Sequence, residues 1–211
     1  MVDILLRHIK EMEGKDALVL RLIHEKSDLS DTDIKNFSGY LIDAKENELR
    51  KIIASVRSKE KTASKKMLIA VLGRDDAFNR RIVETVKINF LVCPERFWND
   101  KQDSLKQRDS GLNHIVAKEA VKKNIVIVID FSYLNSEVFG KKEKALLLAR
   151  AIQNIRICRK AHCAIKIATF AERKEQLRSE RELKAFLFSL GASSQQVSDA
   201  MNFDYHKNVQ R

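Results

Sequence analysis

Two kinds of apolar pattern alternate along this chain. Short, nearly unbroken runs cover Asp3–Leu6, Ala17–Ile23, Gly39–Asp43, Met67–Leu72, Asn89–Cys93, Ile125–Ile129 and Ala164–Thr169, and each reads as a strand. The run Ile125–Ile129 is wholly β-branched, which suits a strand buried on both faces of a parallel sheet. Between the runs lie stripes at helical spacing: Leu49, Ile52, Ile53, Val56; Phe78, Ile82, Val86; Leu112, Ile115, Val116, Ala120; Leu147, Leu148, Ala151, Ile152, Ile155, Cys158; and Leu183, Phe186, Leu187, Leu190. Polar punctuation fits these stripes. Asp75 or Asp76 is placed to cap the second helix, and Asp109 and Ser110 to cap the third, with Gly111 easing the turn. Ser179 and Glu182 have capping-box spacing and Gly191 marks a helix end.

The remaining stretches carry weaker patterns. Arg7–Glu13 reads as a brief helical turn stopped by Gly14, and Ser27–Asn36 as a loop or a short capped helix. Ser58–Lys66 is rich in Lys and Ser and is expected to be a solvated, mobile connection. Ser194–Met201 predicts a last short helix.

Strands that alternate with helices almost throughout predict an α/β fold with parallel strands and right-handed crossovers. The expected architecture is a single-domain TIM-barrel-like (β/α) barrel of seven or eight parallel strands, with an open doubly wound sheet as the alternative. The barrel is expected to fill residues 1–201, and the aperiodic tail 202–211 is expected to be partly disordered. In such a barrel the functional loops follow the strand C-termini. Those loops hold Glu25 and Lys26, Arg74 to Asp76, Arg96, Arg108, Lys141 and Lys142, and Arg173, Lys174 and Arg178.

Charge sharpens this picture. Among 211 residues, 40 Lys and Arg against 29 Asp and Glu leave a net charge of +11. A surplus of that size points to a polyanionic partner, nucleic acid before a membrane surface. No run approaches the roughly eighteen apolar residues of a membrane span, and the N-terminus lacks a signal-peptide layout. A cytoplasmic protein is expected. Three cysteines without tandem spacing fit free thiols. Cys158 and Cys163 flank His162, but a zinc site needs four organised ligands and these positions suit a core stripe and a strand edge. Aromatic residues are 7% of the chain, and most Phe positions fall on core stripes. RNA would therefore be read through shape and phosphate, not through stacked bases.

Motifs of catalysis do not emerge. The five histidines, His8, His24, His114, His162 and His206, form neither a His-x-His pair nor a His-Glu-x-x-His motif. Neither a P-loop nor a dinucleotide fingerprint is found. The expected barrel resembles and is related to the polymerase-and-histidinol-phosphatase type, whose members open with histidines on the first strand. Here that position reads Asp3-Ile-Leu-Leu-Arg-His8, so that metal cluster is missing. No catalytic and no metal-binding residue is assigned. Three basic groups stand out instead: Arg74 with Arg80 and Arg81, the turn Arg108-Asp-Ser-Gly-Leu-Asn-His114, and the helix beginning Lys141-Lys-Glu-Lys144 with Arg150, Arg156, Arg159 and Lys160. At the turn two readings stay open. Arg108 pairs with a nearby carboxylate and Asn113 or His114 satisfies backbone groups, or Arg108 and a helix N-terminus face a phosphate.

Three segments carry a family resemblance: Leu72-Gly-Arg-Asp-Asp-Ala-Phe-Asn-Arg80, Arg108-Asp-Ser-Gly-Leu-Asn-His114, and Leu177-Arg-Ser-Glu-Arg-Glu-Leu183 followed by Leu190-Gly191. Together they resemble the ribonuclease P protein component 3 family of archaea, over about Met67 to Ala200. The sequence departs from the family at Thr169-Phe-Ala171, where small residues are usual, and at Glu180, where proline is usual. The resemblance implies a β/α barrel that serves as a subunit of the endoribonuclease removing the 5′ leader of precursor tRNA. It further implies that ribonuclease P RNA with magnesium performs the chemistry. The protein would bind no cofactor of its own, pair with protein component 2, stabilise the catalytic RNA and meet precursor tRNA only indirectly. By motif match Arg80, Arg108, His114 and Arg178 are the expected RNA- or partner-binding positions. Charge and placement add Arg74, Arg96, Lys118, Lys122 and Lys123. A stand-alone metal-dependent phosphoesterase or nuclease, or an interaction scaffold without RNA, are the alternatives.

Overall fold

The computed structural model describes residues 3–6, 17–30, 32–96, 103–104, 108–132 and 139–202. Seven strands run β1 (Asp3–Leu5), β2 (Ala17–Ile23), β3 (Gly39–Ile42), β4 (Leu68–Leu72), β5 (Phe90–Val92), β6 (Val126–Asp130) and β7 (Ile165–Ala168). Each is parallel to the next and they lie in sequence order. The ends of this sheet meet: Phe170 N–H donates to Ile4 O at 2.9 Å and Leu6 N–H to Ala171 O at 3.1 Å. The sheet is thus a nearly closed barrel, and the open-sheet alternative is set aside.

Period-two alternation builds two cores. Ile4, Leu18, Leu20, Leu41, Leu68, Ala70, Phe90, Val92, Val126, Val128 and Ala168 fill the barrel interior. The intervening residues Ile69, Val71, Leu91, Ile127, Ile129, Ile165 and Ile167 face the helices. Strands buried on both faces are therefore apolar throughout, which is why they read as unbroken runs. The helices are α1 (Asp33–Asn36), α2 (Glu46–Ala63), α3 (Asp76–Thr85), α4 (His114–Lys122), α5 (Lys141–Ala161), α6 (Glu180–Ser189) and α7 (Ser194–Met201). Their predicted stripes meet the outer core, with Leu49, Ile52, Val56, Ile82, Leu183 and Leu187 at or near full burial. Each such side chain contributes about 1.5–3 kcal/mol.

Three expectations need correction. Ser58–Lys66 is no mobile connection, because α2 runs on to Ala63 and turns off through Ser64 in the left-handed region. Lys and Glu are good helix formers, and Glu60 ties the end down by accepting from Arg57 and from Met67 N–H at 2.6 Å. Neither Asp109 nor Ser110 caps α4. Asn113 does, and the helix phase then buries Val116, Ala117 and Ala120 while Ile115 stays 42% exposed. Third, Arg150 is no surface cation but is 2% exposed within the buried stripe of α5, whereas Leu148 and Ile152 are only half-buried. The polar stretch Ser27–Asn36 resolves into a 3-10 turn, Lys26–Asp28, and α1. The expected turn at 7–13 and the tail beyond Asn202 lie outside the described residues, as do Trp98, Lys101 and Lys106.

A cationic side chain sits inside the barrel. Lys166 shares the inner face of β7 with Ala168 and is fully buried. Burial pulls its amine down to about 8, against the opposing charge of Asp3. Asp3 itself is raised by burial, though hydrogen bonds from Thr169 and Ile4 work against this. Because the folded-state value of Lys166 lies below that of an unfolded lysine, folding sheds a proton, and stability climbs as pH rises from about 8 towards 10.5. With each pH unit of that depression worth about 1.4 kcal/mol, Lys166→Met is thus expected to be neutral to stabilising by about 1–3 kcal/mol at pH 7. Urea titrations should show that gain shrinking above about pH 8. A variant that is strongly destabilised at every pH would contradict this.

Candidate functional site

The turn 108–113 crosses the C-terminal side of the barrel between β5 and α4, and it is fastened through its backbone. From α5, Gln153 accepts from Arg108 N–H and donates to Arg108 O, both at 2.8 Å, and donates to Ser110 Oγ at 2.9 Å. The next residue of α5, Asn154, donates to Ser110 O at 3.2 Å and to Glu95 Oε2 at 3.1 Å. From α3, the fully buried Asn79 donates to Gly111 O at 2.7 Å and to Arg74 O at 3.0 Å, and accepts from Arg74 N–H at 2.8 Å. Asp103 accepts from Asp109 N–H at 2.8 Å while Arg150 grips the same carboxylate through Nε and Nη2. Burial raises the Asp103 carboxyl, but those bonds outweigh it and hold the group below the usual carboxylate range.

Gly111 has φ +68°, a conformation that disfavours side chains. A Cβ there would lie 2.1 Å from Pro94 O and 2.8 Å from Arg74 O, so the turn has room for glycine alone. Asn113 then opens α4 by accepting from Ile115 N–H and Val116 N–H at 2.9 and 3.0 Å, while its amide donates to Asp76 at 2.6 Å. Those two helix N–H groups are therefore already taken. The motif residues Ser110, Gly111 and Leu112 are buried. The turn leaves Arg108 and Asp109 half-buried and the His114 imidazole exposed. Arg108 lines two openings, a cleft of about 310 Å³ beside Asp76, Asp109 and Asn113, and a groove of about 460 Å³ along α5.

The other expected positions fall into separate groups. Arg74 and Arg96 converge on Asp43 at the end of β3, at 3.1 Å each, and Arg74 also lies over the Phe78 ring. Arg80 pairs with Glu84 across one helical turn, which raises its guanidinium further. Lys122 pairs with Glu119, and Lys123 reaches Glu119 and Glu84 O, tying α4 to α3. Lys118 is exposed on α4. Arg178 stands apart, beyond β7. It donates to Glu175 O and Leu177 O at 2.8 and 2.7 Å and lies over the Phe131 ring at 5.6 Å. Arg74, Arg96 and Arg108 thus mark the barrel mouth, and Arg80, Lys118, Lys122 and Lys123 mark the outer surface of α3 and α4.

Gln153, Asn154, Asn79, Asp103 and Asp43 escape the sequence reading. A signal was present for two of them: like Arg150, Asn154 interrupts the apolar stripe of α5 at a position facing the core. Asn79 sits beside Phe78 on a buried face in the same way. Asp103, by contrast, lies in a charged loop where nothing in the pattern distinguishes it. Among the described residues no group of three His, Cys, Asp or Glu is placed to hold a metal, and no helix is long and apolar enough to cross a membrane.

Seven sequential parallel strands, helices outside them and a polar network gathered at the strand C-termini define a (β/α) barrel of the triose-phosphate-isomerase type. The family model for RNase P subunit p30 matches residues 21–208, and this chain belongs to that family. Ribonuclease P protein component 3 of Methanocaldococcus jannaschii is 28% identical over 131 residues, 62% of this chain and 52% of the relative. The namesake from Methanococcus maripaludis strain C7 is 26% identical over 156 residues, 74% of this chain and 60% of the relative. The matches thus span about half to three fifths of those relatives' length. In a cryo-EM structure of archaeal ribonuclease P with mature tRNA, one chain superposes with a TM-score of 0.70 at 22% identity, over 95% of this chain and 87% of that one. That likeness confirms the barrel.

Proposed function

We propose that this chain is a non-catalytic protein subunit of ribonuclease P, the ribonucleoprotein that removes the 5′ leader of precursor tRNA. It binds ribonuclease P RNA together with protein component 2, and the RNA with its magnesium performs the cleavage. In this reading the protein acts in the cytoplasm and holds no cofactor itself. Its contribution is electrostatic: cations that neutralise phosphates let RNA helices approach each other. Arg108, His114, Arg178 and Arg80 carry the contacts, supported by Arg74, Arg96, Lys118, Lys122 and Lys123.

The observation that carries the reading is the construction of the signature turn. Its backbone is bound from α3, α5 and Asp103, the Arg108 side chain lines both clefts, and His114 stands exposed at the start of α4. A rigid support holds a cation in place at little entropic cost on binding. Membership of the family and the basic surplus of +11 agree with it.

The test is RNA affinity as a function of salt. Ribonuclease P RNA is expected to bind with log K falling linearly in log salt concentration. Arg108→Ala should leave the thermal midpoint unchanged and reduce the slope by about one phosphate contact. An affinity with almost no salt slope would instead favour the interaction scaffold without RNA.

A further inference from the structure

The outer face of α5 carries a groove that the preceding account leaves without an occupant. It is lined by Ala149, Ile152, Gln153, Arg156, Ile157 and Lys160 of α5, with Arg108 beside Gln153, and its volume is about 460 Å³. The spacing of these residues along the helix, three or four apart, makes a continuous stripe. Ile152 and Ile157 are half-buried, so each leaves apolar surface in the groove. Arg156 and Lys160 are exposed. None of Arg108, Arg156 and Lys160 forms an ion pair with a described carboxylate, and the groove lining contains no acidic residue.

We infer that this stripe is a docking groove for an acidic amphipathic helix of a partner protein. The two halves of the lining ask for different things from one ligand. The floor of Ala149, Ile152 and Ile157 gains from apolar side chains, which bury it from water. The rim of Arg156 and Lys160 asks for carboxylates. An apolar centre with a charged rim is the anatomy of a protein–protein interface, where arginine is enriched, and a helix laid in a groove presents its anchors at the same three- and four-residue spacing. An RNA strand satisfies only the rim. Its phosphates would meet the cations, but the aliphatic floor offers no aromatic ring for its bases to stack on. Because Gln153 of the same stripe clamps the backbone of Arg108, a helix seated here also bears on the signature turn.

Within the ribonuclease P reading, on which this choice of probe rests, the partner to test is protein component 2. The experiment is titration calorimetry of the full-length chain with component 2 at two salt concentrations, with RNA binding measured in parallel. The double reversal Arg156→Glu with Lys160→Glu alters exposed side chains only and is expected to fold normally. It should weaken binding of component 2 at least tenfold and remove most of the salt dependence, while RNA affinity changes less than threefold. Ile152→Ser should weaken component 2 about tenfold with the salt dependence retained. Lys51→Glu on α2 should bind like wild type. Component 2 bound equally well by wild type and the double reversal overturns the groove assignment and leaves the ribonuclease P reading in place. A double reversal that loses RNA and keeps component 2 assigns the groove to RNA and overturns the inference. So does a wild-type chain that dimerises through this face, seen as a monomeric double reversal beside a dimeric wild type in sedimentation. If wild type binds no component 2 at all, inference and reading fall together.

Discussion

Gly111→Ala is expected to destabilise the protein by about 3 kcal/mol or more, a large share of the 5–15 kcal/mol that holds a typical domain together. Two costs combine. An alanine held at φ +68° carries about 1–2 kcal/mol of backbone strain. Its Cβ also falls 2.1 Å from Pro94 O and 2.8 Å from Arg74 O. Both are backbone atoms, so neither escapes by a change of rotamer. The turn must move away from the loops after β4 and β5, which costs about 1–3 kcal/mol more. Asn79 then loses Gly111 O as an acceptor while it stays buried. The measurement is a urea titration of both proteins with the slope compared as well as the midpoint. A loss under about 1 kcal/mol with an unchanged slope would mean that the turn relaxes freely and is not a rigid support.

The second large effect is expected at Arg150, a position the sequence offers as one more surface cation. Arg150→Met should cost about 3–5 kcal/mol, because it leaves the Asp103 carboxylate without its partner in a largely buried place. Asp103 also receives Asp109 N–H, so its loss of anchorage loosens the signature turn from the far side. The double variant Asp103→Asn with Arg150→Met should recover part of that cost, and a double-mutant cycle gives the coupling. Acid provides a second check. The Asp103 carboxyl sits below its unfolded value, so its stabilisation is present above about pH 4 and is lost as pH falls through the folded-state value. Arg150→Met should therefore show a shallower acid limb than wild type. Equal acid limbs would show that the pair contributes nothing.

The barrel was legible because strands covered on both faces are apolar throughout, and those runs alternate with amphipathic stripes. The start of α5 and both ends of α7 agree with the expectation to the residue, since the apolar periodicity of Leu147 to Cys158 is a local signal. The errors arose where tertiary contacts override local pattern. Ser58–Lys66 looks like linker by composition, yet Glu60 folds back on Met67 N–H and keeps the chain helical. Asp109 and Ser110 look like caps, but Ser110 is buried against Gln153 and the cap falls to Asn113. The site was legible as a motif and not as a mechanism. Sequence marks Arg108 to His114 as one unit, and only the fold reveals that Asn79, Asp103, Gln153 and Asn154, 29 residues before it to 46 after its start, hold that unit still. Contacts at such separations leave no periodicity to read. The same holds for Asp43, which joins Arg74 and Arg96 from a loop that precedes both.

The central claim is that this chain assists an RNA enzyme and does not cut RNA itself. Cleavage of precursor tRNA by reconstituted ribonuclease P RNA at limiting magnesium tests it most directly. The comparison sets component 2 alone beside component 2 with this chain, beside the same pair carrying Arg108→Ala, and beside this chain without RNA. The account predicts that the pair lowers the magnesium requirement, that Arg108→Ala folds and loses much of that effect, and that the lone chain cuts nothing. Cleavage by the lone chain, or a pair no better than component 2 alone, would contradict it.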